Sequence, residues 1–235
     1  MAAAANRPGI VLQHADDAPP ALLGDWLDRR GIAWRLVDVP RDGPPAIEGA
    51  PWLVVLGSHH SATDARPAWI PAERELLREA VRRELPTFGI CFGGQALALA
   101  LGGEVEPSSP LEASWDSDLE ILGDEIPSGP WLNFHLERFT LPPGARILAR
   151  SAAGVSAYRH GPHLGVQFHP EATPEIANAW AADYRPAHPW IDAERLAGDG
   201  EAAREGARRR AFGLFAGWWR AITVRRNATD HQSRR

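Results

Sequence analysis

Only one of the 235 residues is cysteine, which excludes an internal disulfide framework and suits a reducing compartment. The formal net charge is −5, so there is no basic surplus with which to hold nucleic acid. No apolar run approaches a membrane span, and Met1–Pro8 lacks the long apolar core of a secretory leader. These absences read as a cytoplasmic protein. A phosphate-binding Gly-x-x-x-x-Gly-Lys and a dinucleotide-binding Gly-x-Gly-x-x-Gly are both missing, which argues against ATP and NAD sites. His59, His60, His135, His160, His163 and His169 are available, but no pair has a helical His-x-x-x-His spacing beside an acid and there is no second cysteine. Neither a metal nor a cofactor is expected.

What is present is an ordinary globular composition, 44% apolar and 23% charged, with the 21 prolines and 22 glycines falling mostly between apolar runs. Residues 1–222 read as one domain, and 223–235 as a basic tail open to disorder. Gly9–Gln13, Ile32–Val39, Pro51–Leu56 and Pro86–Ile90 read as short strands, with a helix over about Ala21–Arg30 that Gly31 can cap. From Pro71 to Leu85, one stripe of Leu76, Leu77, Ala80 and Val81 predicts a covering helix with no chemistry of its own. After Gly103 shorter strand-like pieces follow (119–122, 138–141, 145–149 and 155–158), separated by turns such as Pro142-Pro143-Gly144. The fold class is α/β: a flavodoxin-like, open, mostly parallel sheet with helices on both faces and added antiparallel hairpins. Residues 185–222 read most simply as a terminal helix docking aromatics, with Trp218-Trp219 as a partner surface the other option.

The single cysteine stands in Gly89-Ile90-Cys91-Phe92-Gly93-Gly94-Gln95, between an apolar strand and an apolar helix closed by Gly102-Gly103. A free cysteine is as a rule a small buried hydrophobe. Strand, tight turn and helix, however, make the geometry of a nucleophile elbow. There the helix N-terminus lowers the thiol pKa and backbone N–H groups can receive an oxyanion. A base is found downstream in Gln167-Phe168-His169-Pro170-Glu171, where residues two apart on an extended segment share a side, so His169 and Glu171 can lie together. Base and orienter are what a Cys nucleophile requires. Ser58, Cys91 and His169 all follow predicted strands, and functional residues of open α/β sheets gather beyond the strands' carboxyl ends.

These two motifs together resemble the class I, triad-type glutamine amidotransferases. The resemblance runs over roughly residues 50–185 and is strongest to stand-alone members like the amidotransferase part of GMP synthase. It takes in Val54–Ser61, where the family has a strand and a Gly-Gly-Pro-like oxyanion loop, and 131–150 with its Pro-Pro-Gly-Ala stretch. It implies that Cys91 attacks glutamine, His169 moves the proton and Glu171 orients the imidazole. It further implies that the Ser58 and Phe92 N–H groups form the oxyanion hole, and that Gln95, Asn133 and His135 line the glutamine pocket. Gln95 could equally cap its helix and His135 be a core histidine. The chain departs from the family pattern at Ser58-His59, Leu136-Glu137 and Glu112-Ala113-Ser114-Trp115. With 235 residues there is no room for a fused synthetase, so a separate chain is the expected ammonia acceptor, with no nucleic acid or membrane partner. Two alternatives stand: a γ-glutamyl peptidase or hydrolase acting on a γ-glutamyl amide other than glutamine, and a non-catalytic binding relative.

Overall fold

In the computed structural model, which describes residues 7–116 and 119–232, the chain runs through ten strands and six helices. In order they are β1 (Gly9–Gln13), α1 (Ala21–Arg29), β2 (Trp34–Asp38), α2 (Val39–Asp42), β3 (Leu53–Val55), α3 (Trp69–Arg82), β4 (Thr87–Ile90) and α4 (Phe92–Ala100). There follow β5 (Val105–Asp116), β6 (Glu120–Ile121), β7 (Trp131–Phe139), β8 (Arg146–Ser151), β9 (Gly154–His160), β10 (His163–Val166), α5 (Pro174–Tyr184) and α6 (Ala193–Gln232).

The main sheet has the order β2-β1-β3-β4-β10-β9-β8-β6. The first five strands are parallel, and β9, β8 and β6 add antiparallel pairs at one side. This is the flavodoxin-like α/β arrangement expected from the sequence. The parallel strands are apolar on both faces because both are covered. Val11, Val54, Phe88 and Val166 meet α1 and α6, through Leu23, Trp26, Phe215 and Trp218 among others. Ile10, Leu12, Leu53 and Val55 meet α3 and α4, through Leu77, Ala80, Phe92 and Ala96.

A separate two-stranded sheet, β5 with β7, packs with α5 and the first half of α6 in a third cluster built on Trp115, Leu132 and Trp180. β5 was not anticipated. The continuous α6 also runs through Gln232, taking in most of the segment read as a tail. Trp218 is 1% exposed and packs edge-on to Trp52 at 5.8 Å, so it belongs to the core and not to a partner surface. A second correction concerns α3: its Glu73 is fully buried against His14, so this helix is more than a cover. No helix among the described residues is long and apolar enough to cross a membrane.

Candidate active site

Cys91 directly follows β4 and caps α4 with φ 51° and ψ −110°, a left-handed backbone that a β-carbon resists. Its N–H donates to the Val166 carbonyl (2.9 Å) and its carbonyl accepts from the Gln95 N–H (2.9 Å), so strand and helix hold the turn from both sides. The glycines around it are required by close approach. A β-carbon on Gly89 would fall 2.3 Å from the Gly93 carbonyl oxygen, and one on Gly94 2.6 Å from that of Val166. The thiol receives a long contact from the Gln167 side-chain amide (3.7 Å) and is 7% exposed.

His169 stands in the loop between β10 and α5, its N–H donating to the Leu132 carbonyl (2.8 Å). Its Nδ1 lies 2.8 Å from Glu171 Oε1, as the two-residue spacing predicts, and its ring meets Trp180 edge-on at 4.7 Å. The His169 and Glu171 side chains are both buried. Burial presses the His169 imidazolium down, but the charges on Glu171 and Cys91, with hydrogen bonds to both, outweigh it and push the pKa up to about 10.

Gly57, Ser58, Cys91 and His169 share one small concavity, which opens beside a cleft of about 270 Å³ lined by Ser58, Cys91, Phe92, Gln95, Glu112, His135 and Tyr184 among others. Two larger concavities, of about 540 and 710 Å³, are lined by other residues and contain neither Cys91 nor His169. Gln95 reaches the cleft with its amide donated to the Glu137 carbonyl (2.9 Å). His135 also lines it, its Nε2 2.8 Å from Glu112 Oε2 across the β5–β7 pair. Asn133 is not brought there. It is 0% exposed, stands outside the cleft lining, and neither side-chain polar atom finds a partner among the described residues.

Asp17, Tyr184, His14 and Glu73 approach the site without a signal in the motifs, the first two through His59. His59 Nε2 is 2.9 Å from Asp17 Oδ1, and its Nδ1 is 2.8 Å from the Tyr184 hydroxyl. The carboxylate accepts from Nε2–H, which leaves the Nδ1 lone pair to accept the tyrosine proton. Burial, with the charges of Cys91 and Asp17, pushes the Tyr184 hydroxyl up to about 12, so it keeps its proton. Beneath the same loop, His14 Nδ1 is 3.0 Å from the Gly57 carbonyl and its Nε2 is 2.9 Å from Glu73 Oε2. His14 follows β1 directly, so its place at a strand's carboxyl end was the one available clue. Among the described residues no cluster of three or more His, Cys, Asp or Glu is arranged to hold a metal ion.

The constellation is one for acyl transfer: a thiol at a helix N-terminus, a base and an orienter. A family model described as Glutamine amidotransferase class-I matches residues 53–180. One subunit of the glutamine-hydrolyzing GMP synthase from Ignicoccus hospitalis is 36% identical over 144 residues, 56% of this chain and 73% of that protein. A gamma-glutamyl-L-1-hydroxyisopropylamide hydrolase from a Pseudomonas species is 31% identical over 137 residues, 51% of this chain and 46% of that one. A crystal structure of a glutamine amidotransferase from Methylobacillus flagellatus matches with a TM-score of 0.82 at 27% identity, over 91% of this chain and 94% of that one.

Proposed function

Because the chain belongs to the class-I glutamine amidotransferase family, we propose that it hydrolyses the side-chain amide of glutamine through a thioester on Cys91 and passes the ammonia to a separate synthetase. The observation that carries this reading is the strained Cys91 at the start of α4, with the buried His169–Glu171 pair beside it. His169 takes the thiol proton, and the sulfur attacks the amide carbon. The Ser58 and Phe92 N–H groups hold the oxyanion, a contribution of about 2.7–4 kcal/mol per donor. As the tetrahedral centre collapses, His169 gives the proton to nitrogen, the C–N bond breaks and ammonia leaves. Water, deprotonated by His169, then attacks the γ-glutamyl thioester. The C–S bond breaks, glutamate departs and the thiol is restored.

A second reading, hydrolysis of a larger γ-glutamyl amide, is favoured by one observation: the cleft continues from Cys91 to Trp190, whose side chain is 42% exposed at the rim. The Pseudomonas hydrolase bears the name of such an amide. The test measures glutamate and amine release from glutamine and from a panel of γ-glutamyl amides, with Cys91→Ala as control. Release from glutamine supports the first reading, and release confined to larger amides the second. Silence on all of them, even with candidate synthetases added, would leave a non-catalytic role. Cys91→Ser and His169→Ala each lose at least about a hundredfold in rate, the usual scale for a lost nucleophile or base. Near-wild-type turnover by either would refute the mechanism.

A further inference from the structure

The loop after β3 is gripped from inside the protein. His14 and Glu73 are both buried, at 6% and 1% exposure, and come from the end of β1 and from α3. The Gly57 carbonyl can only accept, so His14 Nδ1 carries the hydrogen of that 3.0 Å bond. Its Nε2 then faces Glu73 Oε2 at 2.9 Å, a contact that needs one further proton between the two. Glu73 Oε1 finds no partner among the described residues. Pairs of this kind are poor sources of stability, since apolar residues of the same volume commonly serve a core as well or better.

We infer that His14, backed by Glu73, is a positioning residue that sets the oxyanion hole by fixing the Gly57–Ser58 peptide. The Gly57 carbonyl and the Ser58 N–H belong to one planar unit, and Arg66–Pro67 is the only cis bond among the described residues, so this unit is trans. Carbonyl and N–H therefore point in opposite directions. Drawing the carbonyl inward to His14 turns the Ser58 N–H outward, toward the concavity that Gly57, Ser58, Cys91 and His169 share. That N–H has no acceptor among the described residues. The His14 ring is also stacked on Trp69 (5.1 Å) and tilted against Phe92 (4.9 Å), whose own N–H is the other proposed donor. One buried imidazole thus touches both sides of the hole.

The inference rests on the reading of Cys91 as nucleophile, and the test separates the two. The double variant His14→Phe with Glu73→Leu keeps the ring stack and strands no carboxylate. Its kcat falls at least about tenfold while KM stays within about threefold, because a donor aimed at the oxyanion acts chiefly in the transition state. Alkylation of Cys91 by iodoacetamide, which needs the thiolate but no oxyanion hole, stays within about twofold of wild type. Glu73→Gln, whose amide can donate to Nε2 and preserve the Nδ1–H, retains at least about a third of kcat. Should the double variant not fold, His14→Asn against His14→Leu makes the same comparison, since the two are near isosteres and only asparagine offers an N–H in the place of Nδ1. Asparagine retains turnover and leucine loses it. Unchanged kcat in a folded His14→Phe/Glu73→Leu protein, or equal losses of kcat and alkylation, would overturn the inference while the thioester mechanism stands. A wild-type protein with no Cys91-dependent release from any γ-glutamyl amide would remove the proposed function itself, and this inference with it.

Discussion

Replacing Gly93 by alanine adds one methyl group at the tightest point of the elbow. Gly93 lies in the first turn of α4, and its added β-carbon would fall 2.1 Å from the Val55 carbonyl oxygen and 2.6 Å from the Val55 carbonyl carbon. Both belong to the backbone of β3 and cannot swing aside. Ordinary contact begins near 3.4 Å, so α4 must withdraw from β3 by about 1.3 Å. Overpacking of this kind costs about 1–3 kcal/mol. At about 2–4 °C per kcal/mol for a chain of this size, the melting temperature drops by about 2–12 °C. Cys91, two residues upstream and tied to Val166, moves with the helix. A misplacement of about 1 Å at a reacting centre is worth about a hundredfold in rate. Thermal unfolding and glutamate release measure the two effects. Gly217→Ala on α6, where nothing lies within 4 Å of the added carbon, is the matched control and leaves both unchanged or raises stability slightly. A Gly93→Ala protein that melts within about 1 °C of wild type and turns over within twofold would refute the packing argument.

Two further outcomes are expected. The pKa of His169 is raised in the folded state from the usual 6.5 to about 10, so its protonated form adds stability that is complete below 6.5 and is lost as pH rises through about 10. Cys91→Ala removes one of the two charges responsible, so its melting temperature falls less between pH 7 and 10 than that of wild type, and parallel curves would contradict the coupling. Tyr184→Phe deletes the hydroxyl bonded to His59 and costs about 0.5–1.5 kcal/mol in a urea titration, the net value of one hydrogen bond. An unchanged midpoint would show that the Asp17–His59–Tyr184 chain is slack.

The elbow was legible because its demands are local. A turn in which Gly89, Gly93 and Gly94 all lie against backbone atoms must be written in consecutive residues. The His169–Glu171 pair was legible for the same reason, since a two-residue spacing on extended chain is enough to join them. β5 was hidden because Pro107 and Pro110 break the pattern of a strand. It tolerates them at the irregular stretch between Pro107 and Glu112, in a sheet of only two strands. α6 was blurred by five glycines, whose cost in helix propensity is overridden by the stripe of Ala211, Leu214, Phe215, Trp218 and Ile222 against the sheet. The contacts of His14 with Glu73, and of His59 with Asp17 and Tyr184, join residues 42 to 125 positions apart. Nothing local marks such pairs. Asn133 shows the opposite failure, a position carried over by resemblance whose side chain the fold buries away from the cleft.

Strand order explains why so dispersed a set can act as one site. β1, β3, β4 and β10 are consecutive neighbours in the sheet, though the last is separated from β4 by five strands of sequence. Neighbouring parallel strands lie about 4.8 Å apart, so the loops at their carboxyl ends stand in a row. Cys91 follows β4, the middle position. Ser58 follows β3 on one side of it, and His169 follows β10 on the other. A tetrahedral carbon bonded to the sulfur needs its oxyanion and its departing nitrogen received by different groups, in different directions. Placing the proposed base and one proposed oxyanion donor on opposite sides of the proposed nucleophile meets that need by topology. His14, at the end of β1, stands one strand farther out, behind the donor and away from the chemistry. From there it can orient the Gly57–Ser58 peptide without competing for substrate, which is why loss of its N–H is expected in kcat and not in the reactivity of Cys91.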